Sequence, residues 1–171
     1  MQSSYLLWID QKPPHAKVRE CIENESLTLL YAKNIFEGLD FIGKYEIDLI
    51  FVDSEQDGMS MLEIVKLLHK RNANMPILCL VDSKQSALAS DALFIGAIDY
   101  LLKPYIISQL QRCICNAKAA MSSVEDFVAE SHVSKQILRL ANRAALASTA
   151  TILIQGPSGT GKEKLAQFIH R

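Results

Sequence analysis

The chain has little of what would mark it as a secreted, membrane-bound or bulk nucleic-acid-binding protein. Its 171 residues carry a formal net charge of only −1, so no basic excess points to nucleic acid. The first apolar run, YLLWI at 5–9, is five residues long before Asp10. That is too short for the core of a signal peptide and far too short for a membrane span, so a cytoplasmic protein is expected. Only four cysteines occur, Cys21, Cys79, Cys113 and Cys115, and none forms a C-x-x-C pair. Cys113 and Cys115 lie two apart on an expected helix and point in different directions. The thiols therefore read as reduced, small apolar residues. There is no internal repeat and no low-complexity tract.

What is present is hydrophobic residue, 49% of the chain, enough for a buried core. It is distributed as short runs alternating with helical patterns. The runs are YLLWI (5–9), LTLLY (27–31), DLIFVD (48–53), PILCLV (76–81) and AIDYLL (97–102). Helical patterns follow each, over 14–24, 35–44, 59–71, 83–95 and 106–121, with Leu62, Ile64, Val65 and Leu68 forming an apolar face on the third. Runs three and four are continuous rather than alternating, as strands buried on both faces of a parallel sheet are. Five strand–helix repeats over 1–121 predict a doubly wound α/β domain of flavodoxin-like order. A polar, small-residue linker is expected over 122–133, and a second piece over 134–171 with a helix at 134–148 and a strand at 150–155.

Parallel strands bring their carboxyl ends to one rim, where ligands of such sheets bind. Asp10 ends the first strand, Asp53 the third, and Lys103 the fifth, just before Pro104. Two carboxylates can hold a hydrated divalent cation, and a lysine beside them can pair with a carboxylate or phosphate. In the second piece, GPSGTGKE at 156–163 lies between an expected strand and an expected helix. Gly156, Pro157, Ser158, Gly159, Thr160, Gly161, Lys162 and Glu163 match G-x-x-x-x-G-K-[ST] except at the last place, where Glu163 replaces the hydroxyl residue. Glycines let backbone N–H groups curl toward phosphate oxygens, and Lys162 would reach the outer phosphates.

On LLWID, DLIFVDSEQDGMSMLEIV, PILCLV and GAIDYLLKP, residues 1–121 resemble the receiver domain of two-component response regulators. The resemblance implies a phosphoacceptor at Asp53 and a phosphoryl contact from Lys103. It implies Mg²⁺ held by Asp10, Asp53 and the backbone carbonyl of Glu55, and switch positions at Val81 and Tyr100. It also implies a sensor histidine kinase as partner. Departures accompany it. Gln11 stands where most receivers have a second acid, which weakens Mg²⁺ binding. Val81 stands where they have Thr or Ser, so no hydroxyl is there to bond a phosphoryl oxygen. Asp57 stands where they have proline, and with Glu55 it adds negative charge near Asp53. Two readings follow: a working phosphoacceptor read out through Tyr100, or an atypical receiver that folds and docks without running the phosphorylation cycle normally. Gln11 and Val81 favour the second.

Residues 128–171 resemble the start of the AAA+ domain of sigma-54-dependent activators, in which Glu commonly follows the P-loop lysine. Receiver plus AAA+ start is the NtrC-like arrangement and implies ATP as ligand. The family's Walker B acids, sensor, arginine finger and sigma-54-engaging loop are not among these residues, so ATP turnover is expected only in a full-length relative. Sigma-54 polymerase and promoter DNA would be engaged only through regions outside these residues. The chain reads as the front of a longer activator or as a truncated product. A homodimer pairing through 83–121 is expected; a stand-alone phosphoacceptor or docking module with a vestigial tail is the alternative.

Overall fold

The computed structural model describes residues 4–54, 58–72, 75–124, 137, 141 and 151–170. Five strands, β1 (Tyr5–Ile9), β2 (Thr28–Ala32), β3 (Ile47–Asp53), β4 (Ile77–Asp82) and β5 (Asp99–Lys103), form one sheet in the order β2-β1-β3-β4-β5. Every pairing is parallel. Each connection carries a helix: α1 (Ala16–Asn24), α2 (Ile35–Ile42), α3 (Met61–Arg71) and α4 (Ser86–Phe94), with α5 (Ile107–Val124) after β5. This is the flavodoxin-like α/β arrangement that the alternation predicts. No described helix is long and apolar enough to cross a membrane.

The sheet separates two apolar layers. Leu7, Ile9, Ile50, Val52, Ile77 and Val81 point to one face, where α2, α3 and α4 cover them. Leu6, Trp8, Leu49, Phe51, Leu78 and Leu80 point to the other, under α1 and α5. Alternate residues of each strand serve opposite layers, so β3 and β4 are apolar throughout.

Local chemistry places the helix starts. The Asn34 side chain accepts from the Glu37 N–H, and Glu37 Oε2 accepts from the Lys33 N–H at 2.8 Å. Ser60 and Glu63 form a reciprocal capping box that starts α3. The apolar face of α3 is shifted from the expected one: Met61 joins Ile64, Val65 and Leu68 in the core, and Leu62 lies half-buried at its flank. The expected helix over 83–95 is divided into a 3₁₀ turn at Ser83–Gln85 and α4, because the Asp82 carboxylate accepts from the Lys84 N–H and tightens the entry.

The chain divides into two compact units, Met1–Ala119 and Ala120–Arg171. The linker expected from 122 begins instead as helix, since α5 continues to Val124 through the helix-favouring stretch Ala119-Ala120-Met121. Residues 125–133, and nearly all of the helix expected at 134–148, lie outside the described residues. The strand expected at 150–155 is not formed over 151–155, where Ile152 and Leu153 are exposed. A strand exists through its ladder bonds to a neighbour, and no described residue pairs with this run. Behind it, the loop 156–161 leads into α6 (Lys162–Ile169).

Candidate functional site

Because all five strands are parallel, their carboxyl ends share one rim, and three of the expected residues meet there. Asp53 is the last residue of β3 and is 5% exposed. Lys103 is the last residue of β5, and its Nζ donates to both Asp53 oxygens, at 2.8 Å and 2.7 Å. The pair is largely enclosed, with side-chain exposures of 29% for Lys103 and 7% for Asp53. The Ser54 N–H donates to the Leu80 carbonyl at 2.9 Å, which fixes the chain as it leaves β3. The Ser54 hydroxyl lies 3.4 Å from Asp53 Oδ1.

Asp10 follows β1 directly, and its backbone N–H donates to the Ala32 carbonyl at 3.1 Å. Its carboxylate accepts the Lys12 N–H at 3.0 Å. Burial, more than any other cause, raises its pKa above the ordinary value, and the negative Asp53 nearby pushes in the same direction. The Lys12 N–H and Lys103 oppose this only in part. Gln11 is exposed, and its carbonyl accepts the Tyr31 hydroxyl at 3.2 Å. Glu55 and Asp57 lie outside the described residues. No three described His, Cys, Asp or Glu residues gather as a metal-binding group. Asp10 and Asp53 fit a divalent cation that keeps most of its waters, since such an ion would offset the repulsion between the two carboxylates that adds to the effect of burial on Asp10.

Val81 is fully buried near the end of β4, opposite Leu102 of β5, in the layer under α3 and α4. It offers no donor to the rim. Tyr100 is half-buried on β5 and packs against the same layer. The two expected switch positions thus share one face of the sheet.

The rim opens into a cleft of about 890 Å³ between the β1–α1 loop and the start of α5. Its lining includes residues that the motif reading passed over: Trp8, Lys12, His15 and Tyr105. Tyr105 follows the Lys103-Pro104 pair, and its phenol is pushed up to about 12 by burial and by the charges of Asp10 and Asp53. Trp8 is 1% exposed and stacks on Phe51 with ring centres 5.2 Å apart. Cys21, Cys79 and Cys113 are buried as small apolar residues, whereas Cys115 is exposed; burial pushes Cys79 up to about 12 and Cys113 to about 11, so both stay protonated.

In the second unit, Gly159 and Gly161 have φ near +82° and +80°, a left-handed backbone that glycine tolerates, and open space surrounds both. Lys162 begins α6 and donates from Nζ to the carbonyls of Gly156, at 2.9 Å, and Pro157, at 2.6 Å. Thr160 Oγ1 donates to the Pro157 carbonyl at 2.8 Å. Ser158 and Glu163 are exposed. A curled glycine loop feeding a helix N-terminus, with a lysine at the turn, fits the phosphates of a nucleotide.

Comparison with known proteins agrees with both pieces. Residues 7–114 match the response regulator receiver domain, and residues 127–171 match the sigma-54 interaction domain. The response regulator FleR of Pseudomonas aeruginosa is 34% identical over 136 residues, covering 78% of this chain and 28% of the relative. The transcriptional regulatory protein ZraR of Klebsiella oxytoca is 28% identical over 176 residues, covering 96% of this chain and 40% of its own length. The chain thus spans well under half the length of these curated relatives. Among solved structures, a receiver domain from Clostridium thermocellum superposes with a TM-score of 0.64 at 23% identity, covering 71% of this chain and 98% of that one. NtrX from Brucella abortus in complex with ADP superposes with a TM-score of 0.61 at 24% identity, covering 99% of this chain and 40% of that one. The chain belongs to the response regulator receiver family, and behind its receiver it carries the start of a sigma-54 interaction domain.

Proposed function

We propose that this chain is the regulatory front of a sigma-54-dependent activator, with an atypical receiver that acts by docking and self-association. Asp53 occupies the phosphoacceptor position and Lys103 the phosphoryl-contact position. The observation that carries the reading is the enclosed Asp53–Lys103 pair beside a hydroxyl-free Val81. At rest, Lys103 already satisfies both carboxylate oxygens. A phosphoryl group on Asp53 would find Lys103 but no hydroxyl at Val81 to draw the β4–α4 loop inward, so the signal to Tyr100 is weakened. Mg²⁺, when bound by Asp10 and Asp53, supplies positive charge that admits a phosphoryl dianion. Gln11 leaves that site one acid short and its affinity low. The exposed Phe94 of α4 and Ile106 before α5, 87% and 66% exposed, suit pairing between copies.

The glycine loop is proposed to bind ATP through its backbone N–H groups and Lys162, while hydrolysis belongs to the remainder of the AAA+ domain in longer relatives. In those relatives the receiver would govern ring assembly, and promoter DNA and sigma-54 polymerase would be engaged elsewhere. A sensor histidine kinase remains the family's phosphodonor, and the cytoplasm is the compartment such a protein works in.

Intact mass after incubation with acetyl phosphate and Mg²⁺ tests the reading. The expected result is an unchanged mass, or a trace adduct that decays without altering self-association. A stoichiometric gain of one phosphoryl group, absent from Asp53→Ala and accompanied by dimerisation, would replace this reading with the working-switch one. For the loop, fluorescently labelled ADP should bind the full chain saturably, and Lys162→Ala should abolish the binding.

A further inference from the structure

The end of α1 is finished by another helix. A helix C-terminus leaves carbonyls without partners inside the helix and carries partial negative charge, which a cation relieves. α1 has no basic residue in its last turn. Lys118 of α5 takes that place. Its Nζ donates to the carbonyl of Glu25, the residue that caps α1, at 2.8 Å, and lies 3.8 Å from Glu25 Oε2. Gln111 Nε2 donates to the other carboxylate oxygen, Oε1, at 3.1 Å. Gln111 and Lys118 stand about two turns apart on one side of α5, so one residue of α1 is held from two points along its neighbour.

These contacts sit where α5 leaves the receiver's core. Leu110, Cys113, Ile114 and Ala117 are buried in the same layer as Val18, Cys21 and Ile22 of α1, and Ala117 is the last buried residue of α5 among those described. The helix nonetheless runs on to Val124, past the boundary between the two compact units at Ala119. An exposed ion pair contributes little to stability by itself. What distinguishes this one is its place: three polar contacts gather on Glu25 where the apolar packing of α5 stops.

We propose that Glu25 and Lys118 form a clamp through which the receiver controls the end of α5 and, with it, self-association. Closed, the clamp keeps α5 seated against α1 and preserves the surface of α4 and α5 that bears Phe94 and Ile106. Opened, it frees the end of α5 and that surface loses its shape. This rests on the reading of the receiver as one that acts by self-association. With no hydroxyl at Val81, α1 offers another bonded route from the rim. Its first turn is tied to the β1–α1 loop, where Arg19 Nε donates to the Pro14 carbonyl at 3.1 Å, and its capping residue holds α5.

Hydrogen exchange of the full chain, without Mg²⁺ or phosphodonor, reads the clamp at the backbone amides of 118–124. Lys118→Met should speed exchange there roughly threefold to tenfold, while β3 and β4 keep wild-type rates. Lys118→Arg keeps the cation and should restore most of the protection. Glu25→Ala leaves the carbonyl for Lys118 and should have a smaller effect. Sedimentation velocity of the same proteins should show weaker association for Lys118→Met than for the wild type. Unchanged exchange at 118–124 would overturn the inference. So would a rise spread evenly over the receiver's strands, which marks a general loss of stability. A local rise with unchanged association would reduce the pair to a helix anchor and overturn its role in control. The wild type keeps the two proposals apart. A wild type that stays monomeric sinks the self-association reading, whereas an associating wild type indifferent to Lys118 sinks only the clamp.

Discussion

At the residue scale the rim is an electrostatic compromise, and two substitutions expose it. Asp10 has a pKa raised above the ordinary 3.8, so the folded state holds its proton more tightly than the unfolded chain does. Its ionised form therefore costs stability, fully once pH exceeds the folded value and not at all below the unfolded one. Asp10→Asn should raise the melting temperature by roughly a few degrees near neutral pH. The gain should vanish as pH falls through 3.8, which thermal scans across pH would show. Saturating Mg²⁺ should narrow the gap by stabilising only the wild type. The Asp53–Lys103 pair behaves differently, because each charge depends on the other. Lys103→Met should destabilise by about 2–3 kcal/mol, less than a fully enclosed pair because Lys103 keeps 29% side-chain exposure. Adding Asp53→Asn should restore most of the loss, and a double-mutant cycle in urea measures the coupling. Asp10, Asp53 and Lys103 were legible from sequence because strand ends in a parallel sheet must converge. Tyr105 was not, since a phenol after proline carries no motif, and only packing turns it toward the cleft.

At the element scale, two helix ends use the same motif with different residues. After α4, the Ala97 N–H donates to the Ala92 carbonyl and the Gly96 N–H to the Leu93 carbonyl, with Gly96 at φ +118°. After α1, the Leu27 N–H donates to Ile22 and the Ser26 N–H to Glu23, with Ser26 at φ +60°. Both are Schellman ends, which place one residue in the left-handed region. Gly96→Ala should cost about 1 kcal/mol and Ser26→Gly should add up to about 1 kcal/mol, both read from denaturant midpoints. Opposite signs are the point: a general effect of glycine content would move both the same way. The receiver's strands lie within a residue or two of their sequence-based bounds, because continuous apolar runs and helix caps agree locally. The run at 151–155 departs because its strand character depends on a neighbour, which propensity alone does not supply.

At the scale of the molecule, the receiver covers both faces of its own sheet with residues from within Met1–Ala119. Residues 1–124 expressed alone should therefore unfold cooperatively, with a melting temperature within about 2 °C of the receiver transition in the full chain. Calorimetry of the two proteins would check this. On the proposed reading, the receiver's state of association does not follow the chemistry of Asp53. Sedimentation velocity with and without beryllofluoride and Mg²⁺, at matched protein concentration, tests it most directly. The expected distribution of species is the same in both conditions and unchanged by Asp53→Ala. A shift to dimer on adding beryllofluoride, abolished by Asp53→Ala, would contradict it and show a working phosphorylation switch despite Gln11 and Val81.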